Sequence, residues 1–188
     1  KLLGRNSLAL WGRGTKTFKA FFWDGKVTHS IGKIVSQFGS RVPSEDPFVV
    51  AIHLPVVEIR EMVDETDFIR ERKKENVDSA YEVYEKIAEN LTEHESDAAS
   101  VIAEKYNVKK ESLEYWHFAT AIAEFIRRKF PVKPSKLSGF VNGTYEFTEA
   151  ETKGGLVFYG KGGCVNCHSG PHFSDFYFHV VAIPQLGF

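Results

Sequence analysis

Cys164, Cys167 and His168 stand in a single run, Cys164-Val165-Asn166-Cys167-His168, and those two cysteines are the only ones in the chain. Two thiols with this separation can add to the two vinyl groups of a porphyrin, and the histidine that follows is placed to bind iron, so the run is the attachment signature of a c-type haem. Zinc needs about four ligands, usually with a second Cys or His pair at matching spacing, and the sequence has no such pair. A thioredoxin-like dithiol should open a helix after a buried strand, whereas Gly160-Lys161-Gly162-Gly163 precedes this one. Two inert, buried thiols are the remaining alternative. The expectation is one covalent haem c on Cys164 and Cys167, with His168 as an iron ligand.

The His168 imidazole should bind iron through Nε2 while its Nδ1–H donates to a backbone carbonyl, which fixes the ring. A second strong ligand, Met or His, makes a six-coordinate electron carrier, whereas an open face admits peroxide or oxygen. His172 and His179 lie only 4 and 11 residues beyond His168. Four residues cannot pass round a haem edge and eleven barely can, so both histidines are expected at propionates or solvent. Met62, the only methionine, reads more readily as core filler than as a thioether ligand.

The elements that must hold this site begin with Thr148-Glu149-Ala150-Glu151, a capping box. It predicts a helix from about Glu149 that delivers Leu156, Val157 and Phe158 toward the haem, with Gly160 to Gly163 as its glycine stop. Farther upstream, Ala80, Val83, Tyr84, Ile87 and Leu91 recur at helical spacing behind Asp78, a candidate N-cap. A second short helix should follow Ser96. Tyr115, Phe118, Ala119, Ile122, Phe125 and Ile126 predict a third, closed by Arg127, Arg128 and Lys129, whose charges suit its C-terminal dipole.

His117 lies off that apolar stripe and is expected to be solvated, as is the charge cluster from Arg70 to Glu75. Pro131 and Pro134 end the helix, and Ser135 to Gly143 reads as an inter-domain connection. Residues 1 to about 57, punctuated by glycine and proline, read as irregular loops with short helical pieces. Within them, Phe21-Phe22-Trp23-Asp24-Gly25 reads as a turn whose aromatics anchor a loop.

The chain has 188 residues, 43% of them hydrophobic, with 24 Lys plus Arg against 25 Asp plus Glu. That is a globular composition with no nucleic-acid footprint and no basic membrane face. No apolar run approaches the roughly 20 residues of a membrane span, and Lys1-Leu2-Leu3-Gly4-Arg5 is no signal peptide. Bacteria attach haem covalently outside the cytoplasm, so a periplasmic location is expected. Neither end reads as a natural terminus, and the segment is not expected to be stable without the rest of its protein.

From Phe147-Thr148-Glu149-Ala150-Glu151 through Gly155-Leu156-Val157-Phe158, Cys164 to His168, Ser169-Gly170-Pro171, Phe173-Ser174-Asp175 and Phe178-His179, the sequence resembles the second haem domain of bacterial di-haem cytochrome c peroxidases and their MauG-like relatives. Arg5-Asn6-Ser7, Phe22-Trp23-Asp24-Gly25-Lys26, Arg60-Glu61-Met62 and Ala123-Glu124-Phe125-Ile126-Arg127 resemble further landmarks in that family's order. The likeness is close over residues 113 to 182 and patchy over residues 1 to 110.

The resemblance implies an all-α fold of cytochrome c-like haem domains, mostly helices and long loops with little strand. Residues 1–144 would be part of the first, peroxidatic domain, whose own haem motif would lie before Lys1. Residues 145–188 would begin the second, electron-transfer domain. It further implies a periplasmic enzyme that reduces hydrogen peroxide with electrons from a small cytochrome c or copper protein, entering at the haem on Cys164, Cys167 and His168. Trp23 would relay electrons between two haems, Glu61 would be the distal acid and Asn6 would ligate a calcium ion, with Met62 lining the peroxidatic pocket.

Leu8 stands where the family usually has Pro, and the interval from Trp23 to Glu61 is longer than usual, which makes Glu58 a rival to Glu61. Alternatives are a MauG-like enzyme that oxidises a protein side chain and a plain electron-transfer cytochrome. Whether the haem's other ligand is Met or Tyr is expected to be decided beyond Phe188. No nucleic acid or membrane span is expected; a homodimer is compatible with the resemblance.

Overall fold

The computed structural model of the chain describes residues 9–58, 77–94 and 96–180. Two compact units divide it, Lys1–Pro131 and Val132–Phe188. Among the described residues no helix is long and apolar enough to cross a membrane.

The first unit corrects the all-α expectation. Strands β1 (Ala20–Phe21), β2 (Val27–Ser30) and β3 (Lys33–Ser36) form an antiparallel sheet in the order β1-β2-β3, so the architecture is mixed, helices with a small sheet, in the stretch expected to be irregular. Phe21 pairs with Val27, and Ser30 pairs with Lys33. The tight turn between β2 and β3 is Ile31-Gly32, with φ of 50° and 70°, the pair of left-handed residues a two-residue hairpin needs. Ile31 is an unusual residue there, β-branched and 98% exposed.

Helix α1 (Pro47–His53) packs against β2. Asp46 caps it by accepting the Phe48 N–H at 3.0 Å, and Pro47 sits in its first turn, where a missing N–H costs nothing. A short 3-10 turn, Pro55–Val57, follows. Helices α2 (Val77–His94), α3 (Ser96–Tyr106) and α4 (Tyr115–Lys129) complete the unit. Asp78 lies inside the first turn of α2, where its carboxylate pairs with Arg41. On α4, Tyr115, Phe118, Ala119, Ala123 and Ile126 are buried, while Ile122 and Phe125, which share the apolar spacing, face outward at 43% and 56% exposure.

His117 is a second correction: it is buried, not solvated. Its Nδ1 accepts the Glu114 N–H at 3.0 Å, satisfying a free amide at the start of α4, and its ring stacks on Trp116 at 3.7 Å. Arg127 does more than complement the helix dipole. It donates to the Gly14 carbonyl at 2.8 Å, to Asp46 at 2.6 Å and to Glu124 at 2.7 Å, tying the end of α4 to the cap of α1.

His53 is fully buried, and its Nδ1–H donates to the Val49 carbonyl at 2.7 Å. Burial lowers its pKa below the ordinary 6.5, against a smaller opposite effect of that hydrogen bond. The unfolded chain therefore binds a proton on this ring in a pH range where the folded chain does not. The His53 contribution is complete above 6.5 and declines as pH falls below it. Urea titrations of wild type and His53→Leu should show stability dropping on acidification in the wild type, with the difference between the two curves narrowing; parallel curves would exclude His53 as the cause.

The second unit holds α5 (Lys136–Val141) within the stretch expected as a connection, followed by α6 (Glu149–Leu156). The Thr148 box forms as its sequence predicts: Thr148 accepts the Glu151 N–H at 3.3 Å, and Glu151 accepts the Thr148 N–H at 2.9 Å. Lys136 donates to Glu151 at 2.7 Å, joining α5 to α6, and this contact, ahead of the Thr148 amide, holds the Glu151 carboxyl down at about 2. Phe140 stacks on Phe147 at 4.1 Å. None of the described residues of this unit, 132–180, is buried.

Candidate functional site

Helix α6 runs into a π-helical turn, Val157–Lys161, which ends in the predicted glycine stop. Two of these glycines are required by geometry: a Cβ on Gly162 would lie 2.6 Å from the Val157 carbonyl oxygen, and Gly163 has φ of 64°. The left-handed Gly163 starts a 3-10 turn, Cys164–Asn166, that closes with the Cys167 and His168 amides both donating to the Cys164 carbonyl, at 3.3 and 2.9 Å. One turn of backbone thus carries both thiols and the imidazole. Cys164 is exposed and Cys167 half-buried, both as free thiols, which removes the alternative of two inert, buried cysteines. The glycine turn that leads in, with no strand before it, is also wrong for a thioredoxin-like dithiol.

The loop after the motif folds back on it. Ser174 N–H donates to the Ser169 carbonyl and Asp175 N–H to the Cys167 carbonyl, each at 2.9 Å. Phe173 adopts a left-handed φ of 50°, uncommon for so bulky a residue, and its carbonyl accepts the His168 Nδ1–H at 3.0 Å. This fixes the tautomer and leaves Nε2 as the nitrogen with a lone pair for a metal. The Phe158 ring meets Phe173 edge-on at 5.8 Å, so the helix expected to deliver Phe158 reaches the motif loop. Leu156, Val157, Tyr159, Tyr177 and Phe178 are all exposed.

The His172 ring lies 5.6 Å from Phe176. His179 donates from Nε2 to Asp175 at 2.8 Å. Asp175 also accepts the Tyr177 N–H at 2.9 Å, and this bond, more than the one from His179, keeps its pKa below the ordinary value. Asp175 was visible in the sequence only as part of a Phe-Ser-Asp landmark; its spacing of four from His179 was the one signal of the pair.

The remaining candidates belong to the first unit or lie outside the described residues. Trp23 sits on the loop between β1 and β2, 66% exposed, while Phe21 beside it is buried. The loop is built on a left-handed Phe22, a left-handed Gly25 and an Asp24 side chain that accepts the Lys26 N–H at 3.3 Å. Lys26 in turn donates to Glu58 at 3.4 Å, so the rival acid is tied to the strand that leaves the Trp23 loop. Asn6, Glu61, Met62 and the charge cluster from Arg70 to Glu75 fall outside the described residues. No protein-family model matches the chain, and neither a curated protein nor a solved structure matches it.

Proposed function

We propose that the chain is part of a periplasmic c-type haem oxidoreductase, a peroxidase of the di-haem kind, in which electrons from a small redox protein enter at a haem held by Cys164, Cys167 and His168. The observation that supports the haem is the Cys164–Asn166 turn, which brings both thiols and His168 onto one turn of backbone, with the His168 Nδ1–H engaged by the Phe173 carbonyl and Nε2 left for a metal. The thiol spacing would anchor a porphyrin. When bound, it supplies a one-electron centre.

The chain's own groups have definite tasks in this reading. Cys164 and Cys167 fix the position of the group, the Phe173 carbonyl orients His168 for ligation through Nε2, and Phe158 with Phe173 excludes water beside the ligand. The exposed Trp23 is the electron relay, and Glu61 is the acid that delivers a proton to the leaving oxygen of peroxide. Calcium at Asn6 belongs to the same proposal. The pairing of the Glu58 carboxylate with Lys26 engages the rival acid outside any peroxide site, which favours Glu61 in this reading.

Steady-state peroxide reduction by the full-length protein, with a reduced cytochrome or copper-protein donor, tests the assignment. Glu61→Gln should lower kcat by about 100-fold or more, the range of a lost general acid, with haem content unchanged; Trp23→Phe should slow electron delivery without altering peroxide binding. Wild-type turnover in both variants would leave the plain electron-transfer cytochrome as the function.

A further inference from the structure

We propose that Cys167, while its thiol is free, forms with Asp175 and His179 a site for one divalent cation of the zinc or cobalt class, and that filling this site and attaching a group covalently to Cys167 exclude each other. One ligand atom from each of the three residues lies within 4.8 Å of the other two. Zinc holds thiolate, imidazole and carboxylate donors at about 2.0–2.3 Å in a tetrahedron, which sets them about 3.5 Å apart, so the cluster needs to close by only about an ångström. A fourth position is left for water.

The three donors are held by backbone, not merely neighbours in sequence. Asp175 N–H to the Cys167 carbonyl brings the two residues face to face across the loop at 2.9 Å. The Tyr177 N–H engages Oδ1 of Asp175, which leaves Oδ2 to meet Nε2 of His179 at 2.8 Å. That Nε2–H to Oδ2 contact is where the cation enters: the ring passes to its Nδ1–H tautomer, giving the Nε2 proton to solvent and taking one on Nδ1, and the Cys167 thiol releases its proton to solvent as the metal binds. Thiolate and carboxylate together neutralise the dication, and a borderline-soft metal suits a sulfur, nitrogen and oxygen set.

The sequence offers no second Cys or His pair at zinc spacing, but the fold supplies the missing donors from 8 and 12 residues downstream of Cys167. The site takes one residue of the pentapeptide and leaves the others engaged elsewhere: His168 with the Phe173 carbonyl, and the Cys164 thiol with the Gly162 carbonyl at 3.8 Å. Only the exclusion clause rests on the haem reading. Thioether formation at Cys167 removes the thiolate, so a metal seated there first blocks attachment.

Anaerobic titration of the full, haem-free, reduced chain with cobalt(II) tests the site. The expected result is one cobalt per chain with a thiolate-to-metal charge-transfer band, displaced by zinc. Asp175→Asn and His179→Ala should each weaken binding at least about tenfold, while His172→Ala should not. Zinc should also protect Cys167 more than Cys164 from alkylation in the unsubstituted chain, a readout that needs no variant to fold. No charge-transfer band, wild-type affinity in both ligand variants, or equal alkylation of the two cysteines would overturn the site. Covalent haem, read separately by mass, distinguishes the two readings. A chain that binds cobalt yet never gains haem refutes the haem and keeps the site; a haem-bearing protein whose haem-free form ignores cobalt does the reverse. Cobalt binding undiminished after haem attachment would overturn the exclusion.

Discussion

Cys164→Ser with Cys167→Ser should yield a full-length protein that carries no covalent haem on this motif and whose amides from 132 to 180 exchange with solvent faster than in the haem-bearing protein. In the same molecules the amides of β2, α1 and α4 stay protected. The contrast follows from where apolar area is buried. The first unit has a contiguous core in which Val27, Val50, Ala99, Ala119 and Ala123 are wholly inaccessible, worth about 25 cal/mol for each Å² removed from water. The second has helix caps, the Lys136–Glu151 ion pair and the Phe140–Phe147 stack, but no buried side chain among its described residues.

Caps contribute about 0.5–2 kcal/mol each and exposed ion pairs little, against a backbone entropy of about 1–2 kcal/mol for every residue ordered. In the haem reading the bound group adds apolar cover to this unit, and losing both cysteines loses any group they would anchor. Exchange measured by mass spectrometry on wild type and variant, with haem content read from the intact mass, decides the matter. Equal protection of the α6 amides in both proteins would show that the unit stands without the group. The single change His168→Ala should keep the covalent mass but alter the iron's absorption spectrum, because the thiols anchor and the imidazole ligates.

What could be read from the sequence is what depends on neighbours along the chain. The helices α2 and α4 announced themselves by apolar spacing, the Thr148 box by two residue types three apart, and the glycine stop by composition. The sheet did not. Of Val27-Thr28-His29-Ser30 only Val27 is buried, Val35 on β3 is 60% exposed, and the hairpin turn uses Ile31-Gly32 in place of the Asn-Gly or Asp-Gly that marks such turns. Helix α1 was obscured for the opposite reason. Phe48, Val49, Val50, Ala51 and His53 are all buried, so it shows no polar face and no period.

His117 shows how a helical wheel misleads at a helix start, where a side chain can turn back to cap the backbone and become buried without belonging to the apolar stripe. At the candidate site the motif was legible and the partners of its residues were not. That Nδ1 of His168 would donate to a carbonyl follows from how ligating histidines are held; that the carbonyl is Phe173's depends on a left-handed phenylalanine, which no local pattern encodes. The Asp175–His179 pair likewise needed the loop to fold back on Cys167 before its nearness to the thiol meant anything.

Tyr84→Ala should be the most damaging single truncation in the first unit, lowering its stability by about 3–5 kcal/mol, the usual cost of emptying a buried aromatic site. The ring stacks on Tyr115 at 5.1 Å and an interplanar angle of 7°, and His53 stands edge-on to both, at 5.1 Å from Tyr84 and 5.0 Å from Tyr115. Phe38 and Tyr81 close the other sides at 6.4 and 5.7 Å. These rings come from the segment after β3 and from α1, α2 and α4, so one truncation leaves a hole shared by several elements that cannot collapse onto it together.

The hydroxyl matters separately: it donates to the His53 carbonyl at 2.8 Å in a buried setting. Burial, first of all causes, pushes the Tyr84 pKa well above the ordinary tyrosine value, and the Tyr115 pKa up to about 12, so both rings stay neutral donors across the physiological range. Tyr84→Phe keeps the stack and removes only that bond, leaving a buried carbonyl at the end of α1 with one partner fewer, for about 1–3 kcal/mol. Urea unfolding followed at a probe in the first unit should rank wild type above Tyr84→Phe and Tyr84→Ala last. If phenylalanine costs as much as alanine, the hydrogen bond and not the packing holds α1 against α2; if it costs nothing, the ring alone does.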